Sequence, residues 1–208
     1  MLHSIATICT ASLVDRNVVP KEKQKIYIYG FELLYSFSFF LIFATSISLL
    51  FGYADMLYMF LFFFVPIRVV GGGYHASSYG RCFILSNAVS ILAVLIAGLL
   101  WTVFGSGAEV YFFAIFLLSE IYIWRNVPVK SMKHAMRPDR LLKNRKRAHR
   151  VLILDTAVTF VISCMCDGPI VRVPLVAMVM VAILILFAKK GESYGEKGSA
   201  KKAETYNE

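Results

Sequence analysis

Long apolar runs separated by short polar or glycine-bearing segments set the pattern of this chain. The first convincing run covers residues 26 to about 50, which at 1.5 Å per helical residue crosses roughly 30 Å of hydrocarbon with some tilt. A shorter run covers about 53 to 67, closed by Pro66, and leads into the polar, glycine-rich stretch GGGYHASSYGRC. Apolar runs resume at 83–104, about 108–124, 151–166 and 170–188. Gly105-Ser106-Gly107 and Asp167-Gly168-Pro169 read as tight reversals between them. At the start of the chain Leu2, Ile5, Ala6, Cys9 and Leu13 recur at helical spacing, without the charged start or continuous apolar core of a signal peptide. Residues 1–25 therefore read as an amphipathic helix on the membrane interface, with Lys21, Lys23 and Lys25 toward an anionic leaflet.

The predicted architecture is all-α: a polytopic membrane helix bundle of about six transmembrane spans, one membrane-embedded domain over residues 1–188. The second and fifth spans are short, each near 15 residues, which leaves a four-span bundle with re-entrant pieces as the alternative. The tail 189–208, where five Lys alternate with four Glu, is predicted to be disordered. No internal repeat is visible. Composition agrees with a membrane protein. The 208 residues are 58% hydrophobic and 17% charged, with a mean hydropathy of +0.66, against about 45–50% and 25% in soluble domains. A large extramembrane catalytic domain is excluded.

The formal charge of +9 has a single source. Residues 125–150 hold ten basic side chains and one acid, Asp139, and the rest of the chain is balanced. The basic excess is thus one loop on a bilayer bundle, and not a surface built for nucleic acid. Such a loop sets topology and touches anionic lipid. With the N-terminus in the cytoplasm and the six spans alternating, 21 of the 22 Lys and Arg fall inside, only Arg172 outside, so both ends are expected to be cytoplasmic.

Irregular backbone near a bilayer must be buried in protein or face water, so the glycine-rich stretch needs a reason. It brings a His and a Cys close in sequence, His75 and Cys82. On one straight helix, seven residues would hold them about 10.5 Å apart, too far for a hydrogen bond. Gly71, Gly72, Gly73 and Gly80 allow a bend that lets imidazole approach thiol. Such a pair is the minimal nucleophilic unit for acyl transfer. The bland alternative is a turn histidine beside a buried cysteine.

The run Arg68, Gly72, Gly73, His75, Ala76, Cys82 and Ser86 resembles the signature of the accessory gene regulator protein B family, membrane peptidases that process bacterial quorum-sensing propeptides. Chain length, span count and a Pro-containing basic loop agree with the resemblance, although Asn126-Val127-Pro128 and Arg137-Pro138 match the family's loop less closely. The resemblance implies an endopeptidase of the cell membrane that cuts a propeptide on the C-terminal side of its signal sequence. It also implies that the signal is held as a thioester on Cys82 and passed to a substrate thiol, closing a thiolactone, or to a serine, closing a lactone. Homo-oligomerisation is implied by resemblance alone. The topology puts His75 and Cys82 on the cytoplasmic side, where an unexported peptide arrives.

Arg68 reads either as a cation beside the forming oxyanion or thiolate, or as a topology anchor. Ser86, one turn after Cys82, either joins the site or packs between helices, and Asn87 shares that ambiguity. Glu32, Glu120 and Asp155 fall within spans. One could orient His75, or all could pair with loop cations. Arg140, Lys143, Arg147 and Arg150 recur at spacings that stripe one helix face. Since substrates of the resembled family carry acidic C-terminal tails, this stripe is expected to hold such a tail. Cys164 and Cys166 read as packing residues, and the FLFFF of the second span as lipid-facing. With no CxxC pair, no Cys/His zinc spacing and no HExxH, neither metal nor cofactor is expected. The competing class is a non-enzymatic small transporter or peptide-export subunit, in which the glycine loop gates and the basic loop docks a partner.

Overall fold

A computed structural model describes the backbone of residues 2–71, 79–129 and 138–204, and the side chains of 3–71, 83–129 and 141–190. Among the described residues seven helices follow in order: α1 (Leu2–Asp15), α2 (Gln24–Leu50), α3 (Ala54–Gly71), α4 (Tyr79–Phe104), α5 (Glu109–Asn126), α6 (Pro138–Met165) and α7 (Val173–Glu204). Short 3-10 turns at Lys21–Lys23 and Pro169–Arg172 lead into α2 and α7. Among the described residues there is no strand, and the all-α reading holds.

Among the described residues five segments are long and apolar enough to cross a bilayer: Lys21–Leu50, Ala54–Gly71, Phe83–Phe104, Leu141–Met165 and Pro169–Lys190. The chain is a multi-pass membrane protein. The remaining predicted span, α5, is an 18-residue helix that carries Glu109, Glu120 and Arg125 and does not reach the same apolarity. Glu109 and Glu120 each find a protein partner, described below.

Two spans that look short in the sequence are longer as helices. Pro66 does not end α3, which runs on to Gly71. A proline removes one helical hydrogen bond, and a bundle tolerates that where neighbouring elements surround the turn. The second half of the basic segment is not loop. Pro138, with φ preset and no N–H to lose, opens α6, and the helix passes unbroken from the cations into the apolar run, 28 residues in all. The backbone of α7 is helical to Glu204, into the stretch for which composition predicts a disordered tail.

The chain forms two compact units, Met1–Gly52 with Ala76–Ala88, and Tyr53–His75 with Val89–Glu208. In the first unit α1 lies against α2. His3 Nδ1 sits 2.5 Å from Glu32 Oε1, and Cys9 Sγ 3.1 Å from the Tyr35 hydroxyl. The docked face centres on Ala6 and Thr10, while Ile5, expected on the apolar side, is exposed. Thr10 is accommodated because its hydroxyl donates to the Ala6 carbonyl at 2.7 Å. Along α2 the buried residues are Glu32, Phe40 and Ala44, so most of its apolar surface faces outward. Lipid is as apolar as leucine, and no penalty attaches to that exposure.

In the second unit α3 and α5 pack against α7, and α6 packs against α3 and α5. Each helix offers a stripe at spacings of three and four: Met56, Phe60, Phe63, Ile67 and Gly71 on α3; Phe116, Glu120 and Ile123 on α5; Ala148, Leu152, Asp155, Thr159 and Ile162 on α6. Phe60 and Phe63 are fully buried, so the FLFFF run is in part core, not simply lipid-facing. Cys164 and Cys166 are exposed and free, not packed. At one end of the unit Arg172 is almost fully buried. It donates to Glu109 Oε2 at 2.6 Å and to the Gly105 carbonyl at 2.5 Å, with its guanidinium 4.1 Å above the Phe112 ring. At the other end Lys189 Nζ donates to Asn126 Oδ1, and the His149 ring stacks on Trp124 at 3.7 Å.

Candidate active site

The sequence motif begins on one helix and ends on another. α3 stops at Gly71 and α4 starts at Tyr79. His75 and Gly73 lie outside the described residues, as do the side chains of Cys82 and Arg140. The backbone of Cys82 is helical and is the fourth residue of α4, in its first turn. Gly71 and Gly80, expected to help the chain bend, are both helical residues.

Gly71 has a different task. Its carbonyl accepts from the Val129 N–H at 2.9 Å, and a Cβ built on it would come within 3.0 Å of Val127 Cγ1. The end of α3 is thus held against residues 127–129, where the basic segment begins. The first glycine of the glycine-rich stretch and the start of the basic segment share one local structure. Sequence reading missed this, because a glycine needed for close approach looks the same as one needed for a turn.

Arg68 is half-buried on α3, one turn before Gly71. Ser86 is half-buried on α4, one turn after Cys82, and Asn87 is buried, donating through Nδ2 to the Phe83 carbonyl at 2.8 Å. Of the three acids expected within spans, Glu32 meets His3, and Glu120 accepts from the Thr156 hydroxyl. Asp155 is 1% exposed with Oδ2 unpartnered. Among the described residues Glu120 is thus met through Oε2 by a threonine and by no cation of the basic segment, and its Oε1 is without a partner. Lys143, Arg147 and Arg150 are exposed on α6, and the helical backbone at residue 140 continues their register, so the expected stripe exists as a helix face.

The sequence gives no hint of a second group of cations. Arg125 from the last turn of α5, Arg145 from α6 and Lys189 from α7 line one cleft of about 310 Å³. They are 20 and 44 positions apart in the chain, and only the packing of three helices joins them. Among the described residues, no group of three or more His, Cys, Asp or Glu is placed to hold a metal.

A family model described as accessory gene regulator B matches residues 6–188. No curated protein and no solved structure matches the chain.

Proposed function

The chain belongs to the accessory gene regulator B family, whose role is the processing of an autoinducing peptide, and from that premise we propose a membrane cysteine endopeptidase in which Cys82 is the nucleophile and His75 its base. The observation that carries this reading is the family match over residues 6–188, which spans the His75 and Cys82 motif, together with the place of Cys82 in the first turn of α4. A first-turn position favours thiolate, because the N-terminal end of a helix carries partial positive charge.

The reaction runs in two acyl transfers. The imidazole of His75 takes the Cys82 proton, and the thiolate attacks the scissile carbonyl of the propeptide. The C–N bond breaks, and the imidazolium gives its proton to the departing amine. The signal portion is left as a thioester on Cys82. A substrate cysteine thiolate then attacks that carbonyl, closes a thiolactone ring and releases the Cys82 thiolate, which is reprotonated; a substrate serine closes a lactone by the same path. A thiol competes well with water here because water is scarce in a partly desolvated site.

Arg68 and Ser86 serve as supporting groups, Arg68 stabilising negative charge on oxygen or sulfur and Ser86 offering a hydroxyl on the same helix as Cys82. Gly73 is a further supporting position of the same motif. The stripe Arg140, Lys143, Arg147 and Arg150 takes the acidic C-terminal tail of the substrate.

The test is cleavage of a propeptide by membranes containing Cys82→Ala or His75→Ala. Both variants are expected to insert normally and to lose cleavage. Cleavage retained by either one would overturn the assignment.

A further inference from the structure

We propose that the cleft between the ends of α5 and α7 and the start of α6 binds the phosphate of an anionic phospholipid. Among the described residues three cations line it, Arg125, Arg145 and Lys189, and no carboxylate does. Among the described residues neither Arg125 nor Arg145 is in an ion pair, and Lys189 meets the neutral amide of Asn126. Unneutralised positive charge gathered from three helices needs an anion.

The level of the cleft and the chemistry of its walls select the kind of anion. Arg125 ends the apolar run of α5, and Lys189 follows the last apolar residues of α7. The cations therefore stand where hydrocarbon gives way to headgroups. The other walls are largely apolar, and Leu142 is 60% exposed beside the opening. A phosphate with a glycerol backbone and acyl chains matches cations at one end and exposed apolar side chains at the other. An acidic peptide has no use for the apolar walls. The water-facing cations available to it are Lys143, Arg147 and Arg150 on a different face of α6. This inference rests on the membrane architecture and not on the peptidase reading.

Native mass spectrometry of the full chain in detergent tests it, with phosphatidylglycerol, phosphatidylcholine, inorganic phosphate and a glutamate-rich peptide as separate probes. Phosphatidylglycerol should be retained and phosphatidylcholine not. The double variant Arg125→Gln/Arg145→Gln should weaken phosphatidylglycerol retention by about tenfold or more, given that each cation near an anionic surface contributes on the order of 1 kcal/mol. Lys143→Gln/Arg147→Gln removes the same charge and should leave retention near wild type. Lys189→Gln, at an exposed side chain, must act in the same direction as the double variant, which keeps the test valid if the latter misfolds. Equal loss in the Lys143/Arg147 control would mean diffuse charge attraction and overturn the site. Stronger dependence on Arg125 and Arg145 for phosphate or for the peptide than for the lipid would overturn the choice of ligand.

Discussion

Arg172 is the cation that the positive-inside count leaves on the far side of the bilayer, and it is also among the most deeply buried side chains. Its burial is tolerated because Glu109 and the Gly105 carbonyl accept its N–H groups while the Phe112 ring covers its face. Removing one partner of a buried pair leaves the other unsatisfied, so Arg172→Met should destabilise the detergent-solubilised protein by about 3 kcal/mol. Glu109→Gln added to that background should cost little more, since the partner is already gone; additive losses in an unfolding titration would deny the coupling. Asp155 presents the opposite case, a buried carboxylate with one oxygen unpartnered. Asp155→Asn should leave thermal stability unchanged or raise it, because a neutral amide is easier to bury than an unpaired charge. A clear drop in melting temperature would mean that the carboxylate holds the bundle together. At Gly71, Ala should be nearly neutral. Its helix propensity gain of up to about 1 kcal/mol offsets a tight contact with Val127 Cγ1, whereas Gly71→Val should destabilise by about 1–3 kcal/mol and be partly rescued by Val127→Ala.

At the scale of elements, α6 combines two functions along one unbroken helix. Its C-terminal half packs the stripe Leu152, Asp155, Thr159 and Ile162 into the bundle, and its N-terminal half carries exposed Lys143, Arg147 and Arg150 outward. Reversing Arg140, Lys143, Arg147 and Arg150 to Glu should raise the substrate concentration needed for half-maximal processing far more than it lowers the maximal rate. The wild-type concentration should itself rise with salt, because single exposed ion pairs are worth only about 0–1 kcal/mol and are screened. Unchanged processing by a correctly inserted variant would reduce the stripe to a topology anchor. The existence of α6 was legible in the sequence, since apolar residues from 151 onward and cations at spacings of three and four both carry helical period. Its unity was not, because Pro138 reads equally as a loop residue or as a helix start, and charge density hides the join. Similarly, Pro66 looks like a stop for α3 only while its neighbours in the bundle are unknown. Phe60 and Phe63 were misread because five successive large apolar residues show no period, and which of them faces protein is decided by α6 and α7. The motif residues were visible one by one, but the contact of Gly71 with Val127 and Val129 joins positions more than fifty residues apart, and no local pattern encodes it.

For the whole molecule, the two ends of the second unit agree with the order of spans read from the chain. Gly105, Glu109 and Arg172 meet at one end, and Asn126, His149 and Lys189 cluster with Trp124 at the other. If the charge asymmetry sets orientation, then in a chain with its native cysteines replaced, a membrane-impermeant maleimide applied to intact cells should label Ser106→Cys and not Ser193→Cys. Labelling in the reverse order would invert the molecule and put Cys82 on the wrong side for a cytoplasmic peptide. The central claim is that Cys82 carries the substrate as a thioester, and intact-mass measurement of the purified enzyme reads it directly. After incubation with a propeptide whose ring-forming cysteine is replaced by alanine, the enzyme should gain the mass of the N-terminal cleavage fragment less one water, with the adduct mapped to Cys82 and absent from Cys82→Ala. Continued cleavage with no adduct, or an adduct on Cys9, Cys164 or Cys166, would contradict the account.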